Sequence, residues 1–390
     1  MKKTKMTFAI ILLVVLTGCG SGKHSTDDFI TVDVTASYPK KELILQDFMD
    51  VEYIPLETND EFITQGIVLY VSRKYILTRN QGMDGVIFIF DRNGQGIRKI
   101  NRKGQGPEDY TFINSLVLDE DEGEIFVHDY SQSKILVYDL NGKFSRSLKY
   151  NIDDDTLKYS DLQNYDKEHL IGYDATGDFH EARQFYHLII SKKDGSIVRK
   201  IQVPFKEKKT TMIQGQEGEV FYTAFVPFNS IFPYRNEWIL SQPSSDTIYR
   251  VRSDFSTFPI IARIPPIQSM SPEVFLSPKL LTERYYFMVS SEKKAEFIND
   301  FVRIPQTQLV YDKQENTIFE YSVYNDDFSN RKQIGIGTPV NTEIAFWQKL
   351  DAYQLVEAYG KGELKGRLKE ISAGLEEEDN AVIMLVKYKQ

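Results

Sequence analysis

Three stretches of this chain repeat one pattern, and that repetition restricts the fold more than any other feature. Gly85-Val-Ile-Phe-Ile-Phe-Asp-Arg-Asn-Gly94 leads into Gln-Gly-Ile-Arg-Lys-Ile100. Ser133-Lys-Ile-Leu-Val-Tyr-Asp-Leu-Asn-Gly142 leads into Lys-Phe-Ser-Arg-Ser-Leu148. Phe185-Tyr-His-Leu-Ile-Ile-Ser-Lys-Lys-Asp-Gly195 leads into Ser-Ile-Val-Arg-Lys-Ile201. Each reads as a strand, a tight turn ending in glycine and a second strand, which is a β-hairpin. The turn glycines stand 48 and then 53 residues apart. Two more apolar runs precede each hairpin, such as Ile113–Leu118 and Glu124–His128 ahead of the second. Four short strands in about 40 to 50 residues is the sequence form of a propeller blade.

The rest of the chain extends the series. Aromatic residues make up 13% of it, with 25 Phe and 23 Tyr, as strand-rich chains favour. Trp238–Ser241 reads as the inner strand and Asp246–Val251 as the third strand of a fourth blade closed by Pro259–Ile264. Thr282–Val289, Gln308–Tyr311 and Thr317–Tyr321 supply a fifth. From Glu343 to Leu375 apolar positions fall mostly three or four apart, which predicts one or two amphipathic helices over 343–376, interrupted at Gly360-Lys-Gly362. Ala381–Tyr388 returns to a strand. Pairing it with the N-terminal segment Leu43–Leu56 would close the ring and remove exposed edges. The expectation is therefore an all-β, six-bladed β-propeller over 40–390, with a C-terminal helical insertion or cap and a ring-closing strand at 381–388. A ring of seven or eight blades, or a pair of β-sandwiches, is the alternative.

The N-terminus carries a different signal. Lys2, Lys3 and Lys5 precede an apolar run from Met6 to Leu16 and then small residues, the order of a secretory signal and too short for a comfortable membrane span. Its end, Leu-Thr-Gly-Cys19, resembles the lipobox of bacterial lipoproteins. Residues 1–18 are then a cleaved signal peptide and Cys19 the lipidated residue, while 19–39 form the anchor and a flexible tether. Acylation at more than one position makes such an anchor lasting. Gly20 after the cysteine matches the outer-membrane default, on the periplasmic face or the cell surface. Cys19 is the only cysteine, so no disulfide supports the fold. Loss of the signal takes the net charge from -9 to -12, and that acidic, mixed distribution argues against nucleic acid as a partner.

Val51-Glu-Tyr-Ile-Pro-Leu-Glu-Thr58, Asn101-Arg-Lys-Gly-Gln-Gly-Pro-Glu108, the Val-Tyr-Asp-Leu-Asn-Gly142 hairpin and Glu378-Asp-Asn-Ala-Val-Ile-Met-Leu-Val-Lys-Tyr388 resemble the six-bladed β-propeller lipoproteins of gut Bacteroidetes, which are related to NHL-repeat propellers. The likeness spans about residues 40 to 390. It implies the fold and an envelope location, with no catalytic residues to carry over. The family's commoner ending has Asn-Pro before the final strand, where this chain has Asn380-Ala381.

Two stretches are candidates for ligand contact. Arg102 and Lys103 stand beside Gly104, Gly106 and Pro107, and glycine-rich backbone next to cations can receive an anion. The same residues also suit a plain connection between blades. Phe225, Phe228, Phe232, Tyr234 and Arg235 form an aromatic segment that either packs over the rim or offers stacking surface. No metal-ligand spacing appears among the five histidines, and no cofactor or nucleophile motif is present. The sequence thus favours a non-enzymatic binding or assembly module on the envelope, linked to glycan or peptide uptake, whose partner is a glycan, a peptide or another envelope protein. A hydrolase or lyase with its site at the channel mouth is the alternative.

Overall fold

The computed structural model describes residues 29–82, 84–149, 159–174, 184–298 and 301–389. Cys19 and residues 1–18, expected to be a signal peptide, lie outside them. Six sheets follow one another around an axis. From the axis outward, blade 1 is Ile67–Val71, Tyr75–Arg79, Val86–Asp91 and Gly96–Asn101. Blade 2 is Ser115–Asp119, Glu124–Asp129, Lys134–Asp139 and Phe144–Lys149, and blade 3 is Tyr159–Asn164, His169–Asp174, His187–Ser191 and Ile197–Ile201. Blade 4 runs Ile231–Tyr234, Glu237–Leu240, Thr247–Val251 and Thr257–Ile264. Blade 5 runs Val274–Leu281, Tyr285–Glu292, Gln306–Asp312 and Thr317–Asn325. Blade 6 joins Ile344–Leu350 and Val382–Tyr388 to Met49–Pro55 from the other end of the chain.

The strand alternation explains why this works. In Lys134–Asp139, Ile135 and Val137 face blade 3, while Leu136 and Tyr138 face blade 1. A middle strand is thus buried on both faces, and it reads as an unbroken apolar run. Six hydrophobic clusters result, each shared by two successive blades, and the last joins Ile54, Ile344, Ile383 and Leu385 of blade 6 to Val68, Ile76 and Phe90 of blade 1. The repeated turn glycines have one role. Gly94, Gly142 and Gly195 sit at φ 84°, 79° and 79°, which a side chain resists, and each packs against the blade before it.

Closure occurs where the sequence places it. Met49–Pro55 pairs antiparallel with Val382–Tyr388 through seven residue pairs, and Val382 to Val386 are fully buried. Asn380 secures the entry. Its amide nitrogen donates to the carbonyls of Glu57 (2.6 Å) and Phe62 (2.5 Å), and its side-chain oxygen accepts the Thr64 amide at 2.8 Å.

Several expectations are corrected. The stretch up to residue 39, expected to be a flexible tether, contains a paired strand. Ile30–Asp33 pairs parallel with the outer strand of blade 4, and Lys40–Ile44 does the same on blade 5. Ile30 and Val32 bury their side chains there, so the N-terminal segment covers two open edges before it closes the third. The inner strand of blade 4 is Ile231–Tyr234, and Trp238 lies on the second strand. Val274–Leu281 is the inner strand of blade 5, ahead of the segment beginning at Thr282. The helical stretch is shorter than 343–376, because Ile344–Leu350 is a strand and the helices are Ala352–Gly360 and Gly366–Ser372. They are inserted between two strands of blade 6, and Leu355, Leu364 and Leu368 pack on the interface of blades 5 and 6.

Asn380→Ala strips partners from three backbone groups at the closure, of which the buried ones lose the most. It should cost about 2 to 3 kcal/mol in chemical denaturation. A change below about 0.5 kcal/mol would show that the closure does not depend on this side chain.

Candidate functional site

The turns that leave the inner strands gather on one face of the ring. There, where blades 4, 5 and 6 meet, lies a cleft of about 440 Å³ lined by residues that include Asp47, Phe48, Tyr234, Arg235, Arg284, Tyr388 and Lys389. Ring closure builds it, since Asp47 and Lys389 come from opposite ends of the chain. The Lys389 ammonium donates to the Asp47 carbonyl at 3.1 Å.

Arg235 sits in the two-residue turn after the inner strand of blade 4 at φ 54°, a left-handed conformation unusual for a residue with a side chain. Its guanidinium donates to Glu283 at 2.9 Å and lies 5.4 Å from the centre of the Tyr234 ring. Arg284 is held more firmly. Its Nε and Nη2 grip the Asp312 carboxylate at 3.1 and 2.8 Å, and Lys41 donates to the same carboxylate at 2.7 Å. Burial acts to raise the Asp312 carboxyl, but the bonds from Arg284, Lys41 and the Gln314 amide outweigh it and hold the group well below the usual carboxylate range.

The Tyr388 hydroxyl is buried and has no hydrogen-bond partner among the described residues. Burial first, and the neighbouring Tyr234 second, push its pKa up, so it stays a neutral donor at any physiological pH. A buried hydroxyl without a partner is costly unless something else supplies one. The cleft therefore combines a buried, unpaired donor in its wall, two aromatic rings and charges of both signs.

The structure separates the other candidate residues. Phe232 is fully buried between blades 4 and 5 and has no face to offer a ligand. Phe228 packs edge-on against Phe275. Phe225 is 46% exposed, on a hairpin of Met212–Glu217 and Val220–Phe225 that rises from the opposite face. Of the aromatic segment, only Tyr234 and Arg235 reach the cleft. Arg102 and Lys103 lie in the connection from blade 1 to blade 2, where Arg102 pairs with Glu108 at 3.3 Å. The glycine-rich backbone does receive an anion there, the chain's own. Asp109 accepts the Gly106 amide at 3.1 Å, and its carboxylate fills the space a side chain at 104 would need. Arg284, Tyr388 and Lys389 were not legible as site residues, because nothing local in the sequence marks them.

Asp312→Asn should lower stability by about 2 kcal/mol at neutral pH, less than for a fully buried pair because Arg284 is partly open to solvent. The sign with pH follows from the depressed carboxyl. Its contribution is complete above the unfolded-state carboxylate pKa of about 4 and is lost as pH falls further. Denaturation midpoints from pH 7 to pH 2 should show the variant's deficit shrinking. A deficit constant down to pH 2 would contradict this.

No curated protein matches the chain. Among solved structures, a putative exported protein of Bacteroides fragilis is 17% identical, with 90% of this chain and 99% of that one aligned and a TM-score of 0.54. A DUF4221-family member from Bacteroides vulgatus is 11% identical over 88% of this chain and 98% of its own, with a TM-score of 0.47. The first shows a shared fold. A family profile described as a 6-bladed beta-propeller, DUF5128, matches residues 21–343, most of the chain and all of blades 1 to 5. The chain belongs to that family of six-bladed β-propellers.

Proposed function

We propose that this protein is an envelope-anchored binding module that holds a hydroxyl-rich ligand, a glycan, in the cleft between blades 4, 5 and 6. The observation that carries the reading is the buried Tyr388 hydroxyl, which has no partner among the described residues. A rigid ring supports it on strands, and the surrounding Tyr234, Phe48, Arg235 and Glu283 supply what sugar recognition uses: an apolar ring face and polar groups of both kinds. Arg284 is gripped by the buried Asp312 carboxylate, so that wall is fixed before the ligand arrives, while the solvent-exposed Arg235–Glu283 pair can open to meet it. A peptide is the other ligand that this mix of groups would accept.

The location forms part of the proposal. The exported relative in Bacteroides fragilis favours a place outside the cytoplasm, and the lipobox-like Leu-Thr-Gly-Cys19 favours a lipid anchor in the outer membrane. Phe29, where the described chain begins, lies on the outer rim beside blade 4. Roughly ten residues separate it from Cys19, a reach of at most ~35 Å.

Two experiments check this. Cys19→Ala should abolish labelling by radioactive palmitate and move the protein from the membrane to the soluble fraction; retention in the membrane would contradict the anchor. Tyr388→Phe removes only the unmatched hydroxyl, so stability should be unchanged or higher by about 1 kcal/mol. Against a panel of defined oligosaccharides and short peptides, the full-length protein should select an oligosaccharide, and Tyr388→Phe should weaken it at least tenfold. Undiminished affinity in Tyr388→Phe would place the ligand elsewhere.

A further inference from the structure

The outer rim of blades 4 and 5 differs in chemistry from the rest of the ring. A groove of about 1080 Å³ opens there, and Phe29, Tyr38, Ile264, Tyr311, Lys313 and Ile318 are among its walls. The strand that the N-terminal segment adds to blade 4 forms one side of it. Phe29 stands just before that strand and Ile264 pairs with its last residue, Asp33, so the two side chains are spaced ~13 Å apart along the rim. Both are apolar and open to solvent, Phe29 to 54% and Ile264 to 46%.

The polar groups of the groove are already engaged within the protein. The Tyr38 hydroxyl donates to the Asp33 carbonyl at 2.9 Å, and the Tyr311 hydroxyl donates to Asn316 at 2.7 Å. The Asp33 carboxylate accepts the Thr35 amide at 2.9 Å and the Thr35 hydroxyl at 2.6 Å. The Lys313 ammonium lies 4.1 Å from the centre of the Tyr286 ring. Asp33 and Lys313 are the only two charged residues that line this groove. The cavity of about 640 Å³ between blades 2 and 3 is lined by eight, and they include the Lys192–Asp119 pair at 2.5 Å. Eight charges suit a surface in water. Exposed apolar side chains beside tyrosine rings and one lysine suit the headgroup level of a bilayer.

The start of the chain says which surface the groove meets. Phe29 is ten residues from Cys19, so an acylated Cys19 holds this rim within ~35 Å of lipid. Blade 1, three blades away, stands on the opposite side of a six-bladed ring. Its outer strand also carries an exposed apolar residue, Ile97, but with Arg98 and Lys99 next to it in sequence.

We propose that the outer rim of blades 4 and 5 rests on the bilayer, with Phe29 and Ile264 entering the lipid and Tyr38, Tyr311 and Lys313 at headgroup level. The inference rests on the lipid anchor at Cys19 proposed above and is independent of which ligand the cleft takes. A ring standing on its rim keeps both of its faces, and the cleft with them, open to solvent.

The test uses the lipidated protein in vesicles of phosphatidylethanolamine and phosphatidylglycerol. Acylated Cys19 has no free thiol, so Ile264→Cys supplies the one cysteine that the fluorophore NBD can label. Lipids carrying doxyl groups near their headgroups should quench that label by about twofold, and should leave a label at Ile97→Cys unaffected. Adding Phe29→Ser should release the label at position 264 from quenching while the anchor keeps the protein on the vesicles. Should Ile264→Cys misfold, a label at Phe29→Cys set against Ile97→Cys carries the same comparison. Equal quenching at positions 264 and 97 overturns the proposal, as does an unquenched label at 264 in protein that floats with the vesicles. Unquenched emission that shifts to the blue as protein density rises also overturns it, and would show a second copy covering the rim. Protein that fails to float at all contradicts the anchor itself, and the proposal falls with it.

Discussion

Everything in this molecule depends on one pairing between the two ends of the chain. A propeller blade cannot stand alone, because the residues of its middle strands are apolar on both faces. Six blades provide six interfaces only if the last blade meets the first. Met49–Pro55 against Val382–Tyr388 makes that meeting possible, and the cluster of Ile54, Ile383, Leu385, Val68 and Phe90 is its packed result. The same N-terminal segment lies along blades 4 and 5 on its way to blade 6, so three outer edges are covered by about 26 residues of chain.

The closure also creates the cleft. Tyr388 and Lys389 stand at the end of the middle strand of blade 6, and Asp47 and Phe48 precede its outer strand. They meet the turns of blades 4 and 5 only because the ring is shut. A binding site assembled this way is as rigid as the fold that holds it, and rigidity limits what a ligand's binding has to order.

What was readable from the sequence was what is local. The hairpins around Gly94, Gly142 and Gly195 announce themselves through turn chemistry and the runs on either side. The inner strands Ile231–Tyr234 and Val274–Leu281 were missed because Pro233 and Pro278 lie within them, and proline argues against a strand. On the strand nearest the axis that argument fails at its free edge, since no neighbour needs the missing N–H, and Pro278 lies at a bulge. Phe346 and Leu350, four apart, fit a helix as well as they fit a strand, and the run Ile344-Ala-Phe-Trp347 decided for the strand. Tyr234 and Arg235 stood out as an aromatic and charged pair, but Arg284, Tyr388 and Lys389 join them only through tertiary structure.

Native-state hydrogen exchange followed by mass spectrometry tests the closure most directly. If the ring stands or falls with this pairing, amides of Val51–Ile54 and Val382–Val386 exchange as slowly as those of Leu136–Tyr138 in the middle of blade 2, and only through global unfolding. Rapid exchange at the two ends, with blades 1 to 5 still protected, would mean that the ring holds without its clasp and would contradict the account.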